Sequence, residues 1–195
     1  MLMVSRGYYL YGGLTLVELA VIVGLLGLVA ILTAPIYMTH FSLFSRQNAA
    51  IEVASQNRLA LDDMVNQIRE AQTIVSTCAD CSPDVTGSGT LVLQVWPVGA
   101  NGEPFEPTDS GYDYIIYKID SSKNQLVKRT ISDSASFRPE STKIIAADVA
   151  SLQFAYNNAD PTQASQVTIN LTNQLKALNK TQTIAQEATA VLRNK

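Results

Sequence analysis

Hydrophobic positions along the 195-residue chain follow three successive patterns. From Leu19 to Ile36, 18 residues carry no charge, and the apolar character continues to Tyr37 and Met38. That length crosses a bilayer as a helix. Residues 39–75 then keep a helical period: Ala54, Leu61, Ile68 and Val75 recur every seventh position, with Met64, Val65 and Ala71 between them. Arg46, Glu52, Arg58, Asp62, Asp63, Arg69 and Glu70 mostly occupy the other side, so this stretch is expected to be an amphipathic helix packed on a sheet. Beyond it the period drops to two. Strands are expected at Leu91–Trp96, at 113–119 and 125–131 as a hairpin across Asp120–Asn124, at Val149–Tyr156 and at Gln166–Thr172. A short last strand is expected at Thr189–Leu192. Strands in sequence with short connections imply one antiparallel sheet with a face covered by the helix, an α+β class. Pro97–Gly111, with three prolines and three glycines, reads as an irregular loop.

One acid, Glu18, stands at the start of the apolar stretch. Eleven of the 18 uncharged residues are Leu, Ile or Val, which favours insertion by roughly 3–7 kcal/mol. A carboxylate near the end of a span costs about 3 kcal/mol or less, so the helix inserts with Glu18 ionised. An acid in such a place marks function rather than packing. A secretory signal would put its small residues after the apolar region, whereas here Gly12-Gly13 precede it, so a cut there keeps the helix in the mature protein.

Composition narrows the function classes. Charged residues make up 16% of the chain and the net charge is −3 without a run of either sign, so no nucleic-acid footprint is present. Lys118, Lys123, Lys128 and Arg129 read as the solvated side of the hairpin. The only histidine, His40, borders the apolar span, leaving the C-terminal part without a Ser-His or Cys-His pair. Asp62-Asp63 read as solvated acids, and Asp109, Asp113 and Asp120 lack the spacing of a calcium loop. No Gly-rich phosphate loop occurs. Nothing here implies a cofactor, a metal or an enzyme. Cys78 and Cys81, three apart, point to a disulfide if exported, with free thiols as the alternative; the pattern suits neither a redox CxxC nor structural zinc.

Gly13-Leu14-Thr15-Leu16-Val17-Glu18 and the apolar run behind it resemble the N-terminus of type IV pilins and type II secretion pseudopilins. A cut after Gly13 makes Glu18 the fifth mature residue, where that family carries its glutamate; cuts after Gly7 or Gly12 put Gly12 or Val17 there. The same register places Gly27 fourteenth and Pro35 twenty-second, matching a stretch that loses helicity in assembled pili, and Pro35 is expected to kink or loosen the helix. Leu14 stands where these proteins usually begin with Phe, and Arg6 lies seven residues before Gly13.

The resemblance implies leader removal and N-methylation at Leu14 by a prepilin peptidase/N-methyltransferase, and pairing of Glu18 with a neighbour's amino terminus. It implies a pilin-like fold divided into leader 1–13, membrane and filament-core helix 14–38, amphipathic helix 39–75 and extracytoplasmic head 76–195. Implied partners are other pilins or pseudopilins and an inner-membrane assembly platform, in the bacterial inner membrane as a single-pass protein. Tyr114-Ile115-Ile116-Tyr117, Leu126-Val127-Lys128-Arg129, Val149–Tyr156, Val167-Thr168-Ile169-Asn170-Leu171 and Val191-Leu192-Arg193-Asn194 also resemble the J-type pseudopilin and W-type minor pilin branch. The competing reading is a membrane-anchored binding module or enzyme outside any filament; such a protein has no use for a pilin-type cut.

Overall fold

The fold is that of a computed structural model describing residues 13, 15–107, 111–177 and 180–193. Leu14, Asp109, Asn194 and the leader before Gly13 lie outside the described residues. The chain divides into two units, one ending at Ser45 and the other starting at Arg46. Helix α1, Leu16–Glu70, contributes to both.

In the first unit α1 is long and apolar enough to cross a membrane, and none of that stretch is buried within the protein. Side chains as large as Leu16, Ile31 and Leu32 are exposed, an apolar surface that needs non-aqueous surroundings. Threonine hydroxyls bond their own helix: Thr33 Oγ1 donates to the Val29 carbonyl at 2.9 Å, and Thr39 Oγ1 to that of Pro35 at 2.8 Å. Internal pairing of this kind removes polar groups that hydrocarbon could not satisfy. The helix runs through Pro35 without interruption.

In the second unit α1 buries Val53, Asn57, Ala60, Leu61, Met64 and Ile68, which recur at the three-to-four-residue spacing of one helix face. The helix ends at Glu70, short of the expected 75. The Gln72 amide turns to the Gln94 carbonyl at 2.9 Å, and Thr73–Ile74 become strand β1. β-branched Thr73, Ile74 and Val75 take readily to a strand, and an adjacent sheet edge supplies the partners that helical bonds would otherwise provide.

The strands form two antiparallel sheets rather than the single sheet expected. The five-stranded sheet runs in chain order: β1, β2 (Thr90–Val95), β3 (Asp113–Asp120), β4 (Gln125–Ile131) and β5 (Ser141–Ala146). The three-stranded sheet has β6 (Val149–Tyr156), β7 (Gln166–Ala177) and β8 (Lys180–Val191). Asp148, at φ 55°, makes the turn between β5 and β6. The β3–β4 hairpin pairs Tyr117 with Lys128 and Asp120 with Gln125, and Asn124 takes the left-handed position in its turn at φ 52°.

A single main core joins the helix to both sheets, through Met64 and Ile68, Leu91, Leu93, Ile115 and Tyr117, and Leu152, Phe154, Ile169 and Leu171. On the other face of the five-stranded sheet, Val92, Ile116 and Ile131 pack with Cys81. That sheet is covered on both sides, which explains the unbroken apolar run Leu91-Val92-Leu93. Loop 97–107 is irregular apart from one bridge between Val98 and Pro104.

Candidate functional site

Gly13 and Thr15 precede the first helical residue, Leu16. Thr15 donates to Glu18 Oε2 twice, from its backbone N–H and from Oγ1, each at 2.9 Å. The Glu18 N–H donates back to Thr15 Oγ1 at 3.2 Å. This is a capping box, which satisfies amide groups that a helix start leaves unpaired. Glu18 stands out in the sequence by its charge; Thr15 does not. The Thr-x-x-Glu spacing before an apolar run was the available signal. The Glu18 carboxylate also sits in the first turn, where helix polarity favours a negative charge. A Cβ on Gly13 would meet no atom of the described residues within 4 Å, so packing against them does not require a glycine there.

Cys78 and Cys81 are joined in a disulfide with Cα atoms 4.9 Å apart. The Cys81 amide donates to the Cys78 carbonyl at 3.2 Å, and the Asp84 amide to that of Cys81 at 2.8 Å. The closed loop is held by the β3–β4 hairpin. Lys118 Nζ reaches both oxygens of buried Asp84, at 2.6 and 2.9 Å, Arg129 Nη1 stands 3.8 Å from the same carboxylate, and Arg129 Nη2 donates to the Asp80 carbonyl at 3.3 Å. These cations are therefore engaged with the cysteine loop rather than merely solvated.

Lys128 points to the opposite side of β4. Its Nζ lies 2.9 Å from Asp63 Oδ1, and the Tyr117 hydroxyl donates to Asp63 Oδ2 at 2.7 Å. Lys128 Nζ also stands 5.7 Å from the centre of the Tyr117 ring. Burial, then the charge and hydrogen bond of Asp63, push the Tyr117 hydroxyl far above its ordinary pKa of 10.0. Of the pair read as solvated acids, Asp62 is exposed, whereas Asp63 ties the helix to the hairpin.

Asp113 is fully buried and accepts from Arg138 Nε at 2.7 Å, Ser136 Oγ at 2.8 Å and the Asp133 amide at 2.9 Å. Arg138 Nη2 continues to the Trp96 carbonyl at 3.2 Å. Asp120, at the far end of β3, accepts from the Ser122 hydroxyl and amide in the hairpin turn. Asp113 and Asp120 thus hold separate local structures. Among the described residues no three His, Cys, Asp or Glu side chains gather as a metal site would require.

Compared with models of known families, with curated proteins and with solved structures, the chain finds no match in any of the three.

Proposed function

We propose that this chain is a minor pilin or pseudopilin, a structural subunit of a type IV pilus or a type II secretion pseudopilus. One observation carries the reading: a lone carboxylate in the first turn of an exposed apolar helix, five residues after Gly13, in a chain that continues into antiparallel sheets. Removal of residues 1–13 leaves Leu14 as the new amino terminus, to be N-methylated, with the apolar helix retained in the inner membrane and the β unit outside the cytoplasm. In the filament Glu18 meets the cationic amino terminus of a neighbour. An ion pair in that low-dielectric core fixes axial register, because a charge left without its partner there is costly. Pro35 removes one backbone donor from the span and gives a local point for the helix to loosen on assembly. Partners are other pilin-like subunits, the prepilin peptidase and the assembly platform.

The test is N-terminal sequencing of the full chain from a bacterium with and without its prepilin peptidase. The expected mature sequence starts at Leu14 and appears only with the peptidase. Gly13→Val should keep the leader, which adds about 1.5 kDa. A mature protein starting at Leu14 without the peptidase, or a cut beyond Ile36, would overturn the proposal.

A further inference from the structure

A cleft of about 560 Å³ lies between the last turn of α1, loop 96–104 and the residues after β8. Three guanidinium groups from distant parts of the chain line it: Arg69, Arg138 and Arg193. Their situations differ. Arg138 is held in place by Asp113 and the Trp96 carbonyl. Arg69 gains from the negative end of the helix in whose last turn it sits. Arg193 has neither, and Arg69 and Arg193 form no ion pair among the described residues. Among the described residues the lining has a single acid, Glu70, which accepts from Gln67 at 3.3 Å. Asp113 offsets Arg138 and Glu70 offsets one of the other two, so one positive charge is left over in a concave site. The remaining wall is apolar, made by Trp96, Val98 and Pro104.

We infer that this cleft binds an acidic segment of a partner polypeptide, a carboxylate side chain with an apolar neighbour. Guanidinium forks match carboxylate oxygens two at a time, and the concave shape strengthens their field. The volume falls within the range of small-ligand clefts and accommodates a few residues. The apolar wall is what selects a peptide over a bare anion, since an inorganic ion would leave Trp96 and Pro104 unused. The inference does not rest on the filament reading.

Trp96 is the only tryptophan in the chain and lines the cleft, so its fluorescence reports occupancy. The full chain in non-ionic detergent is titrated with acetyl-Glu-Leu-Glu-amide, with acetyl-Gln-Leu-Gln-amide and with inorganic phosphate. The acidic peptide should give a saturable change that weakens with salt, and the neutral peptide none. Arg193→Gln should weaken binding about tenfold, the loss of one charge-assisted hydrogen bond, and Arg193→Lys less. Arg193 is exposed, so its variants should melt as the parent does; if Arg69→Gln frays the helix, Arg193→Gln alone decides. No saturable response to the acidic peptide, an equal response to the neutral one, an equal affinity for phosphate, or unchanged affinity in Arg193→Gln would each overturn the inference.

Discussion

Tyr117 donates its hydroxyl to Asp63 at 2.7 Å, joining the amphipathic part of α1 to the middle of β3 across 54 positions of sequence. Lys128, directly opposite Tyr117 in the hairpin register, holds the same carboxylate. A polar contact at the flank of the apolar stripe, next to buried Met64, thereby ties the helix to the sheet.

This arrangement makes stability depend on alkaline pH. The folded pKa of Tyr117 lies above its ordinary 10.0, and burial shifts Tyr156 the same way. Below about pH 10 both residues are neutral in the folded and unfolded states, so their contribution is fully present. Above it the unfolded chain ionises while the fold holds them neutral, and stability falls by up to about 1.4 kcal/mol per pH unit for each tyrosine. Urea midpoints of the full chain in detergent, followed by Trp96 fluorescence, should drop as the pH rises above about 10. Tyr117→Phe should lose about 1–2 kcal/mol at neutral pH but decline less steeply above pH 10. Parallel declines would show that Tyr117 does not contribute to the slope.

Asp113 anchors the segment after β4. With Asp113 fully buried and Arg138 about a quarter exposed (26%), removing the carboxylate leaves a partly desolvated guanidinium and two unpaired donors. Asp113→Ala should therefore cost about 3 kcal/mol, the lower end for breaking a buried pair. Thermal melting followed by circular dichroism measures it, and a loss near zero would mean the ion pair is replaced by solvent.

Reduction of the Cys78–Cys81 disulfide should have only a modest effect. A four-residue loop restricts the unfolded chain little, about 2 kcal/mol on the chain-entropy estimate, and Lys118 and Arg129 still hold Asp84 and Asp80. Melting with and without reductant should differ by a few degrees in the parent and by more in Lys118→Ala. Complete alkylation of both cysteines in protein isolated without reductant would contradict the bond itself.

Variants at Thr15 and Glu18 would separate helix capping from the proposed role in assembly. Thr15→Val breaks the cap's reciprocal bond, about 1 kcal/mol, yet leaves the Glu18 charge. Glu18→Val removes both, and in a filament core it would leave a neighbour's cation unpaired, a loss on the order of 3–5 kcal/mol. Membrane abundance should stay near normal in both variants. If the chain assembles as proposed, cysteine cross-linking to pilin-like subunits should fall sharply in Glu18→Val and little in Thr15→Val. Equal losses would assign the effect to the cap.

Local periodicity made much of the fold legible. The apolar span, the buried stripe through Leu61, Met64 and Ile68, and the β3–β4 hairpin all follow from which neighbouring positions share a face. Thr15 was legible too, through its three-residue spacing to Glu18. Strand β5 was not, since its first three residues, Ser141, Thr142 and Lys143, are half-buried or exposed polar side chains and Ile144 faces out, so no alternation marks it. The far halves of β7 and β8 were missed for a similar reason: from Asn173 to Gln186 most residues are polar, and only their mutual register makes them strands.

The sequence by itself determined where apolar surface must be covered and which stretches have the period of a helix or a strand. Tertiary structure alone decided that α1 yields to β1 at Glu70, that the strands divide at Asp148 into two sheets, and that Asp63, Asp84 and Asp113 each find a cation. The physical reason is range. Burial patterns repeat over a few residues and are set by backbone geometry, whereas an ion pair or a sheet edge depends on groups tens of residues apart, brought together only when the core closes.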